Sequence, residues 1–367
     1  MKITFVMCSG FSLSGGDRVV AVYAKQLQQR GHEVFIISRP LSKPGLREQI
    51  RSLLKGNGWI TMPQSKSSYF DNFGVSCKLL DRARPVVDAD LPDADVVIAT
   101  WWETAEWVAK LSPSKGAKAY FVQHHEVFDY LPEEQAAASY RLPLHKIVVA
   151  QWLQDLMKTL YNDNNVSLVP NSVDTKQFYA PPRKKQAVPT VGMVYSHTPW
   201  KGCDLSLKAF ALAAQRIPNM RLVTFGSSEL TESLPLPPEA KFAYRPPQER
   251  LRDFYSQCDA WLFASRSEGF GLPILEAMAC RTPVIGTPAG AAPELLADGA
   301  GILVEPENPE AIAQAIEQIY QMTEAEWQQM SEIAYARVNE YTWEDATDRF
   351  EAALQQAIEK SELGMTV

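Results

Sequence analysis

At 367 residues the chain is long enough for two domains of ordinary size rather than one. A hydrophobic fraction of 46% with 22% charged residues excludes a disordered or fibrous chain. The net charge of −7 argues against a protein whose main work is gripping phosphate backbones, so nucleic acid is not expected as a partner.

Residues 2–8 read as a short apolar strand, followed by a Ser/Gly-rich loop over 9–16 and a helix with apolar residues at Val19, Val20, Tyr23, Ala24 and Leu27. Gly31 ends that helix and residues 32–38 form the next strand. Strand, glycine loop, helix and strand make a βαβ unit, which requires a parallel sheet with the loop at its C-terminal edge. Further strands are predicted over 96–100, 119–123 and 146–150. After Asn171 the order begins again, with strands at 190–195, 221–225, 260–264 and 283–286 and helices at 205–216, 248–257, 273–280 and 309–321. A last helix is expected from Thr342 to about Lys360.

Residues 179–189 hold three prolines and no apolar periodicity, and read as a linker between two halves. The predicted fold is therefore α/β, with two Rossmann-like doubly wound domains facing across a cleft where a ligand is expected. Residues 1–170, with the terminal helix 342–367 crossing back, form the first domain, and residues 171–341 the second.

The five cysteines are scattered and form no C-x-x-C, so neither a disulfide framework nor a structural zinc site is expected. The N-terminus reaches serines and glycines within about ten residues, and no uncharged apolar run of about 18 occurs. A cytoplasmic setting follows as the expectation.

The densest chemistry is the stretch SRSEGFGLPILEAMA at residues 265–279. A buried strand ends at Ala264, two glycines follow, and Pro273 starts a helix, so backbone N–H groups and the helix dipole are available for phosphate. Glu268 lies in the loop and Glu276 about a turn into the helix. One carboxylate at that spacing reaches a sugar beside the phosphates, while the other accepts hydrogen bonds from a vicinal diol such as ribose. Lys201, in the earlier Trp-Lys-Gly turn, supplies an ammonium that stabilises the charge developing on a leaving diphosphate.

The segment from Glu268 to Glu276 resembles the E-x7-E signature of retaining GT-B glycosyltransferases of family four, also called glycosyl transferases group one. Residues 280–294 (CRTPVIGTPAGAAPE) are similar to that family's next strand and loop. VPNSVD at 169–174 with Phe178 resembles its interdomain P-N-G-V-D-x-x-x-F, and Lys201-Gly202 with Leu205, Ala209 and Phe210 its K-G helix start. The resemblance covers nearly the whole second half. It implies that Glu268 holds hydroxyls of the transferred sugar, Glu276 the ribose and Lys201 the diphosphate, with Gly269, Phe270, Gly271 and Leu272 completing the donor loop. It also implies no essential metal and no cofactor beyond the nucleotide diphosphate sugar as co-substrate.

One departure stands out. The family usually adds an arginine several residues before the K-G lysine, whereas residues 192–198 (GMVYSHT) contain none. His197 and Arg245 are the candidate substitutes. In the first half, Gly15-Gly16 resembles the family's glycine pair, so that Gly16 admits the donor's phosphate or the acceptor. His124 and His125 follow the strand at 119–123, in the neighbourhood of the family's functional histidine, and one of the two is expected at the sugar or acceptor.

Asp88-Ala-Asp90 and Asp93-Ala-Asp95 match the metal-chelating D-x-D pattern of the other large glycosyltransferase fold. Both precede the strand at 96–100, the edge away from ligands, so metal binding is not expected there. The first loop lacks G-x-G-x-x-G and no acid ends the second strand, which disfavours a dinucleotide.

Between Arg39 and Arg84 nine basic residues stand against three acidic ones, a local charge of +6 in a chain of −7. Lys43, Arg47, Arg51 and Lys55 recur every fourth position beside an apolar stripe of Leu46, Ile50, Leu53 and Leu54. The pattern describes a basic amphipathic helix over 43–55 that suits peripheral contact with the inner membrane face and a lipid-linked acceptor. It equally suits a helix packed on its own domain.

These readings add up to a retaining, metal-independent, hexosyltransferase-like enzyme moving a sugar from a nucleotide sugar to a glycan or lipid-linked acceptor, in cell-surface polysaccharide or glycoconjugate synthesis. With no carboxylate nucleophile evident, front-face displacement is favoured over double displacement. The alternatives are a non-catalytic sugar-nucleotide-binding subunit, which the missing arginine would suit, and a nucleotide-sugar epimerase or glycogen-synthase-like polymerase on the same fold.

Overall fold

The computed structural model describes residues 1–41, 46–54, 59, 68–71 and 73–364. In chain order the first half contains β1 (Lys2–Met7), α1 (Gly15–Gln29), β2 (Glu33–Ser38), α2 (Leu46–Leu54), β3 (Ser76–Leu79), β4 (Val96–Ala99), α3 (Trp102–Ala109), β5 (Ala117–Val122), α4 (Glu133–Ser139), β6 (His145–Val148), α5 (Gln151–Tyr161) and β7 (Val166–Leu168). Among the described residues these strands make a seven-stranded sheet ordered β3-β2-β1-β4-β5-β6-β7, with every pairing parallel. Continuous apolar runs such as Val96–Ala99 are buried on both faces, as a parallel sheet covered by helices requires.

α1 starts where the Ser14 hydroxyl accepts a hydrogen bond from the Asp17 N–H, and it buries Val19, Val20, Tyr23, Ala24 and Leu27. It ends before Gly31, whose φ of 89° takes the left-handed turn into β2.

The second half contains β8 (Thr190–Val194), α6 (Cys203–Ala214), β9 (Arg221–Gly226), β10 (Lys241–Tyr244), α7 (Leu251–Tyr255), β11 (Ala260–Phe263), α8 (Leu272–Ala279), β12 (Val284–Gly286), α9 (Ala292–Leu295), β13 (Gly301–Leu303), α10 (Pro309–Gln321), α11 (Glu324–Asn339) and α12 (Trp343–Glu362). Its sheet is ordered β10-β9-β8-β11-β12-β13, again parallel throughout. Trp327 of α11 is fully buried in this unit's core with Phe210, Ile312, Ile316 and Leu262.

The chain divides into two units. Met1–Val148, Leu153–Val169 and the C-terminal helix from Thr347 form one; Val149–Trp152 and Pro170–Ala346 form the other. α12 packs on the first unit through Phe350, whose ring stacks on Tyr23 at 4.2 Å and meets Phe121 edge-on at 5.2 Å. Arg30 secures it with ion pairs to Asp348 at 2.6 Å and Glu351 at 3.1 Å.

The proline-rich stretch 179–189, expected as a linker, belongs instead to the body of the second unit. The Arg183 guanidinium donates to the Cys258 carbonyl and to Thr282 Oγ1 and lies 4.7 Å from the Trp327 ring. Lys185 Nζ donates to the carbonyls of Tyr320 and Met322 at 2.7 and 2.8 Å, which satisfies the C-terminal end of α10. Basic residues between prolines here cap and clamp, a use that leaves no apolar periodicity to read.

Candidate functional site

In the second unit β8 and β11 are neighbours in the sheet, while the strands added beyond them run outward in opposite directions. That is the topological switch point, and the loops leaving the C-terminal ends of these two strands border the crevice where an open α/β sheet takes its ligand. Lys201 lies in the loop after β8 and Glu268 in the loop after β11. The Arg266 N–H donates to the Trp200 carbonyl at 2.7 Å, joining the two loops.

Gly202 makes this approach possible. Its φ is 61°, and a Cβ there would stand 1.8 Å from the Ala264 carbonyl oxygen. Gly202→Ala is expected to destabilise the second unit by about 3 kcal/mol, combining left-handed strain with an overlap that only backbone movement relieves. Urea unfolding of the variant measures it; a change below about 0.5 kcal/mol would show that the loops separate at little cost.

Lys201 Nζ donates to both carboxylate oxygens of Glu268, at 2.8 and 2.9 Å, and Ser265 Oγ donates to Oε1 at 2.8 Å. The Glu268 side chain is 10% exposed and that of Lys201 38%, so the carboxylate is enclosed while the ammonium keeps a solvent side.

The loop Gly269, Phe270, Gly271 and Leu272, expected from the sequence to receive the donor, is held on two sides. Trp152 Nε1 donates to the Gly269 carbonyl at 2.8 Å, and the Ala291 N–H donates to the Phe270 carbonyl at 2.8 Å. Gly290, with φ of 62°, lets the β12 loop come this close, since a Cβ there would meet the Phe270 oxygen at 2.5 Å. α8 then begins with no side chain capping its first N–H groups. An uncapped helix start at a switch point can receive an anion.

Glu276 is 5% exposed, and its Oε2 accepts from the Tyr255 hydroxyl at 2.5 Å. It is an interior carboxylate rather than a surface helix residue.

The candidate substitutes for the missing arginine occupy different places. His197 lies in the Lys201 loop, exposed, its ring 5.7 Å from Tyr195 and its N–H directed to Ser228 Oγ at 3.5 Å. Arg245 follows the edge strand β10, two strands or about 10 Å from β8. It adopts φ of 46°, donates from Nε to the Ser227 carbonyl at 3.4 Å and lies over the Tyr244 ring. Arg266 is already engaged, with two bonds to Asp204 at 2.9 Å and two to Glu307 at 2.6 and 3.1 Å.

In the first unit Gly16 sits in the opening turn of α1 against the Gln123 amide, where an added Cβ would make ordinary contact at 3.5 Å. The two histidines have different surroundings. His125 Nε2 shares a hydrogen bond with the Tyr161 hydroxyl at 2.7 Å, and its ring packs near those of Tyr140 and Tyr161. Burial, with the neighbouring His124, pushes its pKa down to about 4. His124 Nδ1 lies 2.9 Å from the His125 carbonyl, which can only accept. The Nδ1 proton is thereby placed, and in the neutral ring the lone pair lies on Nε2.

Beside them is a carboxyl that the sequence reading missed. Glu126 is 2% exposed, and its Oε2 accepts from the Trp102 N–H at 2.7 Å and the Tyr120 hydroxyl at 3.0 Å. Burial holds its pKa well above the ordinary carboxylate range. Its own N–H donates to the Tyr140 hydroxyl, which donates to the His124 carbonyl, fixing the turn. Trp152, Tyr255 and Gly290 were likewise missed; of these only Gly290 lay in a stretch the sequence had singled out.

A buried histidine, His145, adds acid sensitivity to the first unit. His145 is fully buried against Ser167 Oγ, and burial with Lys360 pushes its pKa down to about 4, against about 6.5 in an unfolded chain. Between those values the unfolded state binds more protons, so stability falls as pH drops through that window. His125 acts in the same sense, and the carboxyls of Glu126 and Asp17, both raised by burial, oppose it. The contribution of His145 to the unfolding free energy in urea is expected to fall by about 2 kcal/mol between pH 7.5 and pH 5. His145→Gln should flatten that slope, and an unchanged slope would exclude His145 as a source.

The aspartates of the two D-x-D pairs are bound into the fold. Asp90 takes two bonds from Arg84 at 2.6 and 2.7 Å, which hold its pKa below the ordinary range, and Asp88 accepts from the Ser112 N–H. Asp93 pairs with Lys115 at 2.9 Å, and Asp95 accepts from the Lys2 N–H. Among the described residues no group of three or more His, Cys, Asp or Glu is arranged to hold a metal ion.

Comparison with known proteins places this geometry. Residues 13–177 match the model Glycosyltransferase Family 4, and residues 174–337 match Glycosyl transferases group 1. The chain is 31% identical over 172 residues to a D-inositol 3-phosphate glycosyltransferase of Corynebacterium diphtheriae, covering 43% of this chain and 40% of that protein. It is 34% identical over 102 residues to an O-antigen chain mannosyltransferase of Escherichia coli, covering 28% of this chain and 26% of that protein. The matched stretch thus spans less than half the length of these curated relatives. Among solved structures, Anabaena HepE in complex with UDP and glucose superposes with a TM-score of 0.73 at 16% identity, covering 97% of this chain and 100% of that one. A sucrose-phosphate synthase from Thermosynechococcus elongatus gives 0.70 at 16%, covering 97% and 99%. Likeness at such identity establishes the fold, which is GT-B with two Rossmann-like units. Two family models that together run from residue 13 to 337, over that fold, show that the chain belongs to the GT-B glycosyltransferases of the family-four type.

Proposed function

We propose that the protein is a retaining glycosyltransferase that moves a sugar from a nucleotide diphosphate sugar to a glycan or lipid-linked acceptor in the cytoplasm, in cell-surface polysaccharide or glycoconjugate synthesis. The observation that carries this reading is the enclosed Glu268 carboxylate, held by Lys201 and Ser265 at the switch point of the second sheet beside the uncapped start of α8. A structural neighbour that holds UDP and glucose supports a nucleotide sugar as donor.

In this reading Lys201 and the α8 start receive the diphosphate, Glu276 the ribose diol and Glu268 the sugar hydroxyls. Lys201 and the α8 start supply the positive charge facing the leaving group, so the reaction is read as metal-independent. The bond from the anomeric carbon to the diphosphate oxygen breaks, and the acceptor oxygen bonds to the same face. The acceptor proton passes to the departing phosphate. Glu268, already bonded to Lys201 and Ser265, is assigned to binding rather than to attack, which favours front-face displacement. In the first unit His124, with its lone pair on Nε2, is the residue assigned to the sugar or acceptor, and Gly16, whose side-chain position faces the Gln123 amide, is assigned through its backbone to the donor's phosphate or the acceptor.

Incubation with a panel of nucleotide sugars, with and without candidate acceptors, tests this. Acceptor-dependent release of nucleotide with the anomeric configuration kept is the expected result. Nucleotide binding without release from any donor would replace the reading with a binding subunit.

A further inference from the structure

The crossover from β2 to β3 contains a helix that faces the wrong way for a helix packed on its own domain. In α2, Leu46 is 77% exposed, Leu54 83%, Ile50 53% and Leu53 50%, while Gln49 is buried at 5%. A surface helix ordinarily buries its apolar stripe, as α1 does with Val19, Tyr23 and Leu27. Here the polar Gln49 points in and the leucines point out, with Arg47 and Arg51 exposed beside them. Lys43 and Lys55, the outer members of the basic series, lie outside the described residues.

The crossover that contains the helix both leaves and returns at the edge of the sheet that matters. β2 ends at Ser38, at the C-terminal edge that carries the loop leading to Gly16. The crossover returns to that edge, since the Tyr69 N–H donates to the Ser12 carbonyl at 3.3 Å and the Phe70 ring lies 4.8 Å from that of Phe11.

The charge around α2 identifies what covers it. Exposed leucines flanked by arginines, in a segment of net charge +6, match an anionic lipid surface: the apolar side chains enter the headgroup boundary while the guanidinium groups stay with the phosphates. A second copy meeting this face about a two-fold axis would set Arg47 and Arg51 against the same cations. Nine residues are too few to span a bilayer.

We propose that α2 docks the first unit on an anionic membrane surface, presenting a lipid-borne acceptor to the edge that holds Gly16. The acceptor part rests on the glycosyltransferase reading; the docking does not.

Co-sedimentation of the full chain with vesicles, without donor, tests it. Wild type is expected to bind phosphatidylcholine vesicles containing about one third phosphatidylglycerol, and pure phosphatidylcholine at least about tenfold more weakly, with high salt releasing it. Arg47→Glu with Arg51→Glu, and separately Leu46→Ser with Leu54→Ser, should each lower binding about tenfold or more. All four side chains are exposed, so the fold should survive, and an unchanged thermal transition checks this. Nucleotide release to a soluble acceptor should stay at the wild-type rate in both variants. Failure of wild type to bind anionic vesicles, or equal binding by the variants, overturns the proposal. So does a wild-type dimer that the leucine variant converts to monomer without any vesicle binding. Vesicle binding by a protein that transfers no sugar would overturn the enzymatic reading alone.

Discussion

Lys201→Ala is expected to lower acceptor-dependent sugar transfer by about two to three orders of magnitude, the scale at which one preorganised charge acts on a developing anion. In the resting site the ammonium sits 2.8 and 2.9 Å from the two oxygens of Glu268, with its remaining side open to solvent. An arriving diphosphate would therefore share a cation that is already oriented rather than recruit a mobile one. Removal has a second effect, because Glu268 then keeps only Ser265 as a partner in an enclosed position. Breaking a fully buried ion pair costs about 3–5 kcal/mol; with Lys201 more than a third exposed, about 1–2 kcal/mol is expected. Lys201→Ala should thus lose kcat, lose affinity for the nucleotide diphosphate and unfold at lower urea. Lys201→Arg should restore stability better than rate, because a planar fork fills the place of a point charge differently. A rate for Lys201→Ala within threefold of wild type would remove Lys201 from the leaving-group role.

The parts of this site that were legible in the sequence are those fixed by local chemistry. A buried strand, two glycines and a helix start announce a loop at a sheet edge, and the spacing of Glu268 and Glu276 puts both carboxylates beside it. What stayed hidden was decided by residues far along the chain. His124 and His125 are adjacent and chemically identical; they differ because Tyr161, 36 positions later, holds one of them. Trp152 clamps the Gly269 carbonyl from 117 positions away, and no local pattern marks it. The short edge strands β3 and β10 carry exposed or half-buried residues, so their strand character comes from the parallel neighbour rather than from an apolar run. In α2 the periodicity was plain, but a period has no sign. The same stripe reads identically whether it is buried on a core or turned outward, and the burial of Gln49 against the exposure of Leu54 shows that it is turned outward.

Glu268→Gln is expected to separate binding from transfer more sharply than any other single change. The substitution keeps size and shape, still accepts from Ser265, and removes the charge that holds Lys201 at rest. Freed from that partner, the ammonium should hold a nucleotide diphosphate at least as tightly as in the wild type. Transfer should nevertheless fall by about three orders of magnitude. In the proposed reading the lost carboxylate accepts from sugar hydroxyls in a low-dielectric site, where charge-assisted bonds are about twice as strong as neutral ones and misplacement of the reacting carbon is heavily penalised. Calorimetry with the nucleoside diphosphate and rates with the sugar donor measure the two quantities on one protein. The variant should be less stable than wild type by about 1 kcal/mol, since the amide NH2 replaces one of the two oxygens that accept from Lys201. Weakened nucleotide binding in Glu268→Gln would place the carboxylate at the phosphates rather than the sugar. A double-mutant cycle with Lys201→Ala then shows whether the pair acts as one unit, in which case the combined loss falls well short of the product of the two.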